Sequence, residues 1–143
     1  MKISNHGVAF IKTFEALRLD AYLDGGGVLT IGYGHTGPEV KKGDHISLAQ
    51  SETLLRADLQ WAEKAVNDAV KVAVTQDVYD SLCSFVFNTG RKAFEDSTLL
   101  KLLNASDYIG ACAELAKWHK DNDKNVKGLL RRRVREMMVW LEN

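Results

Sequence analysis

Val8, Ile11 and Phe14 fall at the spacing of one helical face, and Ser4 or Asn5 stands where a side-chain oxygen caps a first turn. The chain is therefore expected to open with a short helix ending near Glu15. From Asp20 to Gly37 the period changes. The β-formers Tyr22, Val28, Thr30, Ile31 and Tyr33 are broken by Gly25, Gly26, Gly27, Gly32, Gly34 and Gly37, which predicts small hairpins or a compact sheet, the one strand-like region of the chain. Ser47 then opens a helical pattern through Leu54, Leu55, Leu59, Trp61, Ala62 and Val66, long enough to join two lobes. Val78, Leu82, Phe85 and Val86 mark an amphipathic helix ended by Gly90. Ser97 opens Thr98 to Leu103, and Asp107 opens a segment through Trp118. Leu129, Leu130, Val134, Met138 and Leu141 mark the last helix, expected to dock on the protein by the face that carries Leu130, Val134, Met138 and Leu141. The fold class is α+β within a single domain over 1–143. A small β-rich part covers about 15–46, a joining helix about 47–70, and a larger helical part about 71–143 together with the first helix.

Composition narrows this picture. The 143 residues are 45% hydrophobic and 27% charged, as in a soluble globular enzyme, with no repeat or disordered tail. Nineteen basic and nineteen acidic residues cancel, which argues against nucleic acid as a partner. The balance is uneven along the chain, however: Lys117 to Arg135 holds eight Lys and Arg against Asp121 and Asp123. The first twenty residues lack the unbroken apolar core of a signal peptide, and no stretch approaches the roughly 20 apolar residues that span a bilayer, so the chain is expected to be cytoplasmic when made. Cys83 and Cys112 sit far apart among apolar neighbours, as buried free thiols do. His6, His45 and His119 form no metal-ligand spacing, and no metal or other cofactor is expected.

The candidate chemistry lies in the first thirty residues. Glycoside hydrolysis uses two carboxyl groups in unlike settings, one held protonated for the leaving oxygen and one ionised. Glu15, read as part of the last turn of the first helix, meets the negative end of the helix dipole between Phe14 and Leu17, both of which favour the protonated form. Asp24, beside three glycines, is open enough to stay ionised and hold a water, and Thr30 can orient the same water. Each residue alone is commonplace.

The run from Glu15 through Ala-Leu-Arg-Leu-Asp-Ala-Tyr-Leu to Asp24, then Gly-Gly-Gly-Val-Leu to Thr30 and on through Ile-Gly-Tyr-Gly to His35, resembles the active-site signature of the phage-type lysozymes, glycoside hydrolase family 24. Glu, eight residues, Asp, five residues, Thr is met without gap or substitution. Phe-Asn-Thr-Gly at 87–90, Ser-Thr-Leu-Leu at 97–100 and Gly-Leu-Leu-Arg-Arg-Arg at 128–133 extend the resemblance along nearly the whole chain. It implies a two-lobed lysozyme-like fold with the active-site cleft between the lobes. The implied reaction is hydrolysis of the β-1,4 bond between N-acetylmuramic acid and N-acetylglucosamine with inversion, Glu15 acting as acid while Asp24 and Thr30 place the water. It also implies an endolysin that waits in the host cytoplasm as a monomer until a holin permeabilises the membrane, then acts in the periplasm on the peptidoglycan.

Other signals fit around this reading. Gly32 to Gly37 matches GxGxxG, but a dinucleotide site needs a helix to begin inside it, and Pro38, Gly43 and the later Ser47 cap place a loop there. His35, Phe87, Asn88 and Ser97 are candidate sugar contacts, with structural roles for His35 as a hydrogen-bonder, Phe87 as core and Ser97 as a helix cap weighed beside them. The basic C-terminal helix offers an anionic cell envelope a weak contact. A lytic transglycosylase acting on the same bond, or an antibacterial protein working through that helix, is the alternative.

Overall fold

A computed structural model describes residues 1–121 and 124–142, so Asp123, counted above in the basic stretch, lies outside the described residues. Contacts divide the chain into two compact units, Val8–Gln60 and Met1–Gly7 with Trp61–Asn143.

Helix α1, Asn5–Lys12, starts behind Ser4, whose Oγ accepts the Gly7 N–H at 2.9 Å. It stops at Lys12, three residues short of the expected end at Glu15. Three successive tightened bonds, Thr13 N–H to Phe10 O, Phe14 N–H to Ile11 O and Glu15 N–H to Lys12 O, turn the chain out of the helix. Strands β1 (Arg18–Leu23), β2 (Leu29–Gly32) and β3 (His35–Thr36) form an antiparallel sheet in that order, with Tyr22 opposite Thr30, Leu23 opposite Leu29 and Ile31 opposite His35. The GxGxxG match spans the β2–β3 turn and no helix begins in it. Helix α2, Leu48–Asp58, packs on β2 and opens with a full capping box: Ser47 Oγ accepts the Gln50 N–H at 3.1 Å, and Gln50 Oε1 accepts the Ser47 N–H at 2.8 Å. Gly32, beside Ser51 of this helix, takes the left-handed backbone of the turn, with φ +67°.

The segment expected as one joining helix is two, α2 and α3 (Gln60–Ala69), interrupted at Leu59. In the larger unit, every residue of α4 (Gln76–Thr89) from Val78 to Val86 is buried, which makes it the central helix. Gly90, at φ +99°, ends it. Around it lie α3, α5 (Arg91–Glu95), α6 (Thr98–Asn104, capped by Ser97), α7 (Tyr108–Glu114, capped by Asp107) and α8 (Lys127–Trp140). Cys83 and Cys112 are buried free thiols in this core. A short hairpin, β4 (Lys120–Asp121) with β5 (Lys124–Asn125), adds strand where none was expected.

The largest departure is the orientation of α8. Leu130, Val134, Met138 and Leu141, expected to face inward, are 42%, 44%, 62% and 56% exposed. The buried residues of the helix are Arg132, Arg133, Glu136, Val139 and Trp140. Charge goes inside because it is matched there. Glu136 Oε2 accepts from Ser84 Oγ at 2.5 Å and Arg133 Nη2 at 3.0 Å, Arg133 Nε lies 2.6 Å from Glu136 Oε1, and Arg132 Nη2 donates to the Ser84 carbonyl at 3.1 Å. The Arg133 guanidinium also covers the Phe85 ring at 5.0 Å. Burial pushes the Glu136 carboxyl above its ordinary value, against the pull of Arg133, Ser84 and Arg132.

Candidate active site

Within the smaller unit, the turn from β1 to β2 is organised by Asp24. Its Oδ1 accepts the N–H groups of Gly26 (2.8 Å) and Val28 (2.9 Å), while its own N–H donates to the Val28 carbonyl at 3.0 Å. Thr30 Oγ1 donates to that same carbonyl at 2.9 Å. The two candidate residues are thus fixed on either side of one residue, Val28. Both bonds to the carboxylate fall on Oδ1, so the exposed Asp24 keeps Oδ2 for another partner. Thr30, 4% exposed, has committed its proton and can only accept.

Glu15 stands past the end of α1, half-buried, and a Cβ at Gly34 would meet its Oε2 at 3.7 Å. Gly34, at φ +82° in the β2–β3 turn, therefore brings backbone beside the carboxyl group. The three candidates border one sheet: Asp24 follows β1, Thr30 lies on β2, and Glu15 abuts the turn leaving β2.

His35 has no ring nitrogen to offer a sugar. Nδ1 meets Asp58 Oδ2 at 2.8 Å, and Nε2 meets Glu39 Oε1 at 2.6 Å, tying β3 to α2 and to the following loop. Burial opposes protonation, but the hydrogen bonds and charges of Glu39 and Asp58 together outweigh it and hold the imidazole above its ordinary value. Neither acid was singled out in the sequence: Asp58 is 23 positions away and carries no local signal, and Glu39, four residues on, lies in a loop rather than on a helical face.

In the larger unit, Ser97 is 4% exposed and its hydroxyl is engaged twice, donating to the Phe94 carbonyl at 2.7 Å and accepting the Leu100 N–H at 3.1 Å. It is a cap. Phe87 is half-buried with its ring centroid 6.0 Å from that of Trp61, an exposed residue that the sequence pattern had assigned only to a helix face. Asn88 is exposed at the rim of a pocket of about 420 Å³ lined also by Thr89, Trp118, Lys120, Asp121 and Arg133. Among the described residues no group of three or more His, Cys, Asp or Glu is arranged to hold a metal ion.

The family model described as Phage lysozyme matches residues 12–136, and the endolysin of Acyrthosiphon pisum secondary endosymbiont phage 1 is 46% identical over 98% of each chain. The chain belongs to the phage lysozyme family. As a phage lysozyme it is similar to the endolysin of Salmonella phage P22, 42% identical over 99% of each chain. The crystal structure of a mutant P22 lysozyme superposes with a TM-score of 0.93 at 40% identity over 99% of both chains. The muramidase domain of SpmX from Asticaccaulis excentricus superposes at 0.90 with 36% identity, again over 99% of both. The α+β architecture is therefore the lysozyme-like fold, and this phage lysozyme is a glycoside hydrolase of the lysozyme, or muramidase, class.

Proposed function

We propose that the enzyme is an endolysin that hydrolyses the β-1,4 bond between N-acetylmuramic acid and N-acetylglucosamine in bacterial peptidoglycan, with inversion at the anomeric carbon. The observation that carries this reading is the pairing of Asp24 and Thr30 through Val28. A water between them donates one hydrogen to the open Oδ2 and the other to Thr30 Oγ1, so a lone pair is left for the anomeric carbon. As the new C–O bond forms, Asp24 takes the proton of the water and Glu15 gives its own to the departing sugar oxygen. Attack on the face opposite the leaving group inverts the centre.

Phe87 and Asn88 are assigned to sugar contact, the ring for a pyranose face and the amide for an N-acetyl group. His35 and Ser97 are assigned positioning roles, on the bonds that already saturate them. The endolysin relatives support action on the host cell wall, and we assign the route there to holin-dependent release from the host cytoplasm. Lysis of cells expressing the enzyme with and without a holin tests that route.

Digestion of purified peptidoglycan by wild type and Glu15→Gln, followed by mass spectrometry of the muropeptides, tests the chemistry. Wild type yields reducing ends that carry the added water, and Glu15→Gln loses about 10²- to 10⁴-fold in rate, the usual contribution of a positioned acid. Products of the 1,6-anhydro type would instead make the enzyme a lytic transglycosylase.

A further inference from the structure

We propose that the outer face of α8 is a docking surface for anionic phospholipid bilayers. Val126, at the N-cap, and Leu130, Val134, Met138 and Leu141 are 36% to 62% exposed and recur every three or four residues. At 100° per residue, the last four fall within about 80° of one helical face. Exposed apolar side chains are ordinary when scattered, but a continuous row at helical spacing marks a contact.

The chemistry of the partner follows from the cations. Lys127 lies within this arc, Arg131 lies on its border, and Lys124 precedes the helix, all three exposed. Apolar side chains interleaved with amines and guanidinium groups fit a surface that is apolar below and negatively charged above, which describes the headgroup boundary of an anionic bilayer. Five partly exposed side chains are too little surface for the roughly 800 Å² per partner of a stable protein dimer. The helix is held from behind by the Arg132, Arg133 and Glu136 network. It can therefore rest on a surface as a rigid ridge without leaving the fold. Among the described residues no helix is long and apolar enough to cross a membrane, so the contact is with the headgroup layer.

Sedimentation with phosphatidylglycerol–phosphatidylethanolamine vesicles, compared with phosphatidylcholine vesicles, tests this directly. Wild type binds the anionic vesicles, weakly or not at all the zwitterionic ones, and release increases with salt. Lys127→Glu with Arg131→Glu lowers partition by about 25-fold or more, about fivefold for each cation lost, with the repulsion of the two new carboxylates added. Val134→Ser with Met138→Ser lowers it by about tenfold or more. All four positions lie outside the proposed catalytic and sugar-binding residues, so digestion of lipid-free cell wall by both double variants stays at the wild-type rate, which also reports that they fold. Wild type that fails to bind anionic vesicles, or binding that neither double variant weakens, overturns the proposal. So does a concentration-dependent dimer abolished by Val134→Ser with Met138→Ser in protein that ignores vesicles.

Discussion

The two units treat charge in opposite ways. In the larger one, Asp80, Arg132, Arg133 and Glu136 are buried, the arginines beside the Glu136 carboxylate and Ser84, and Asp80 against Ser4 and Gln76. In the smaller one, Asp24 and Glu39 are exposed and Glu15 half-buried, on turns whose shape comes from backbone bonds and glycines. Buried groups whose charges neutralise one another hold elements together. Asp24, exposed on a turn with both of its bonds on Oδ1, keeps Oδ2 for a ligand.

Substitutions sharpen the contrast, and Glu136→Leu has the largest expected effect. It takes from the fully buried Arg133 the carboxylate it is paired with and lowers the unfolding free energy by about 3–5 kcal/mol. A loss below about 1 kcal/mol in urea titration would show that the network is not structural. Asp24→Asn is expected to do the reverse. The amide oxygen keeps both turn bonds, so stability moves by less than about 0.5 kcal/mol, while hydrolysis falls about 100-fold or more with the lost charge. If wall digestion is unaffected, Asp24 is only a turn residue.

Gly34→Ala tests the backbone rather than the charge. A left-handed residue with a Cβ lowers stability by about 1–2 kcal/mol, read as a shift in thermal midpoint, and no shift would mean that the turn has relaxed. The smallest effect belongs to His35→Asn, about 1 kcal/mol or less, and it depends on pH. Because the folded value of His35 is raised, its stabilisation is full below the ordinary value of 6.5 and fades as pH rises through the folded value. The difference between wild type and variant should be larger at pH 5 than at pH 9, and an unchanging difference would remove the charged pairs with Asp58 and Glu39 as its cause.

Local signals were read correctly where one segment decides its own structure. The Ser47 cap, Gly90 and the caps at Ser97 and Asp107 stand where the spacing put them. The end of α1 was missed because no glycine or proline marks it, only three bonds that each span three residues in place of four. The orientation of α8 was misread for a different reason. Periodicity locates an apolar stripe without saying whether it faces in, and Arg132, Arg133 and Glu136 look solvated until Ser81 and Ser84 are found opposite, bonding to Glu136. A signal was present: Arg at i and i+1 with Glu at i+4, on the side that also carries Val139 and Trp140. Of the two partners of His35, Asp58 arrives by long-range folding and left no such trace.

The two cysteines bear on where this fold can work. Burial raises both thiols above their ordinary range, so the reactive thiolate is scarce, and each is 3% exposed or less. With no bridge to form or break, the chain keeps one covalent structure in a reducing compartment and in an oxidising one, and passage between them asks nothing of its chemistry.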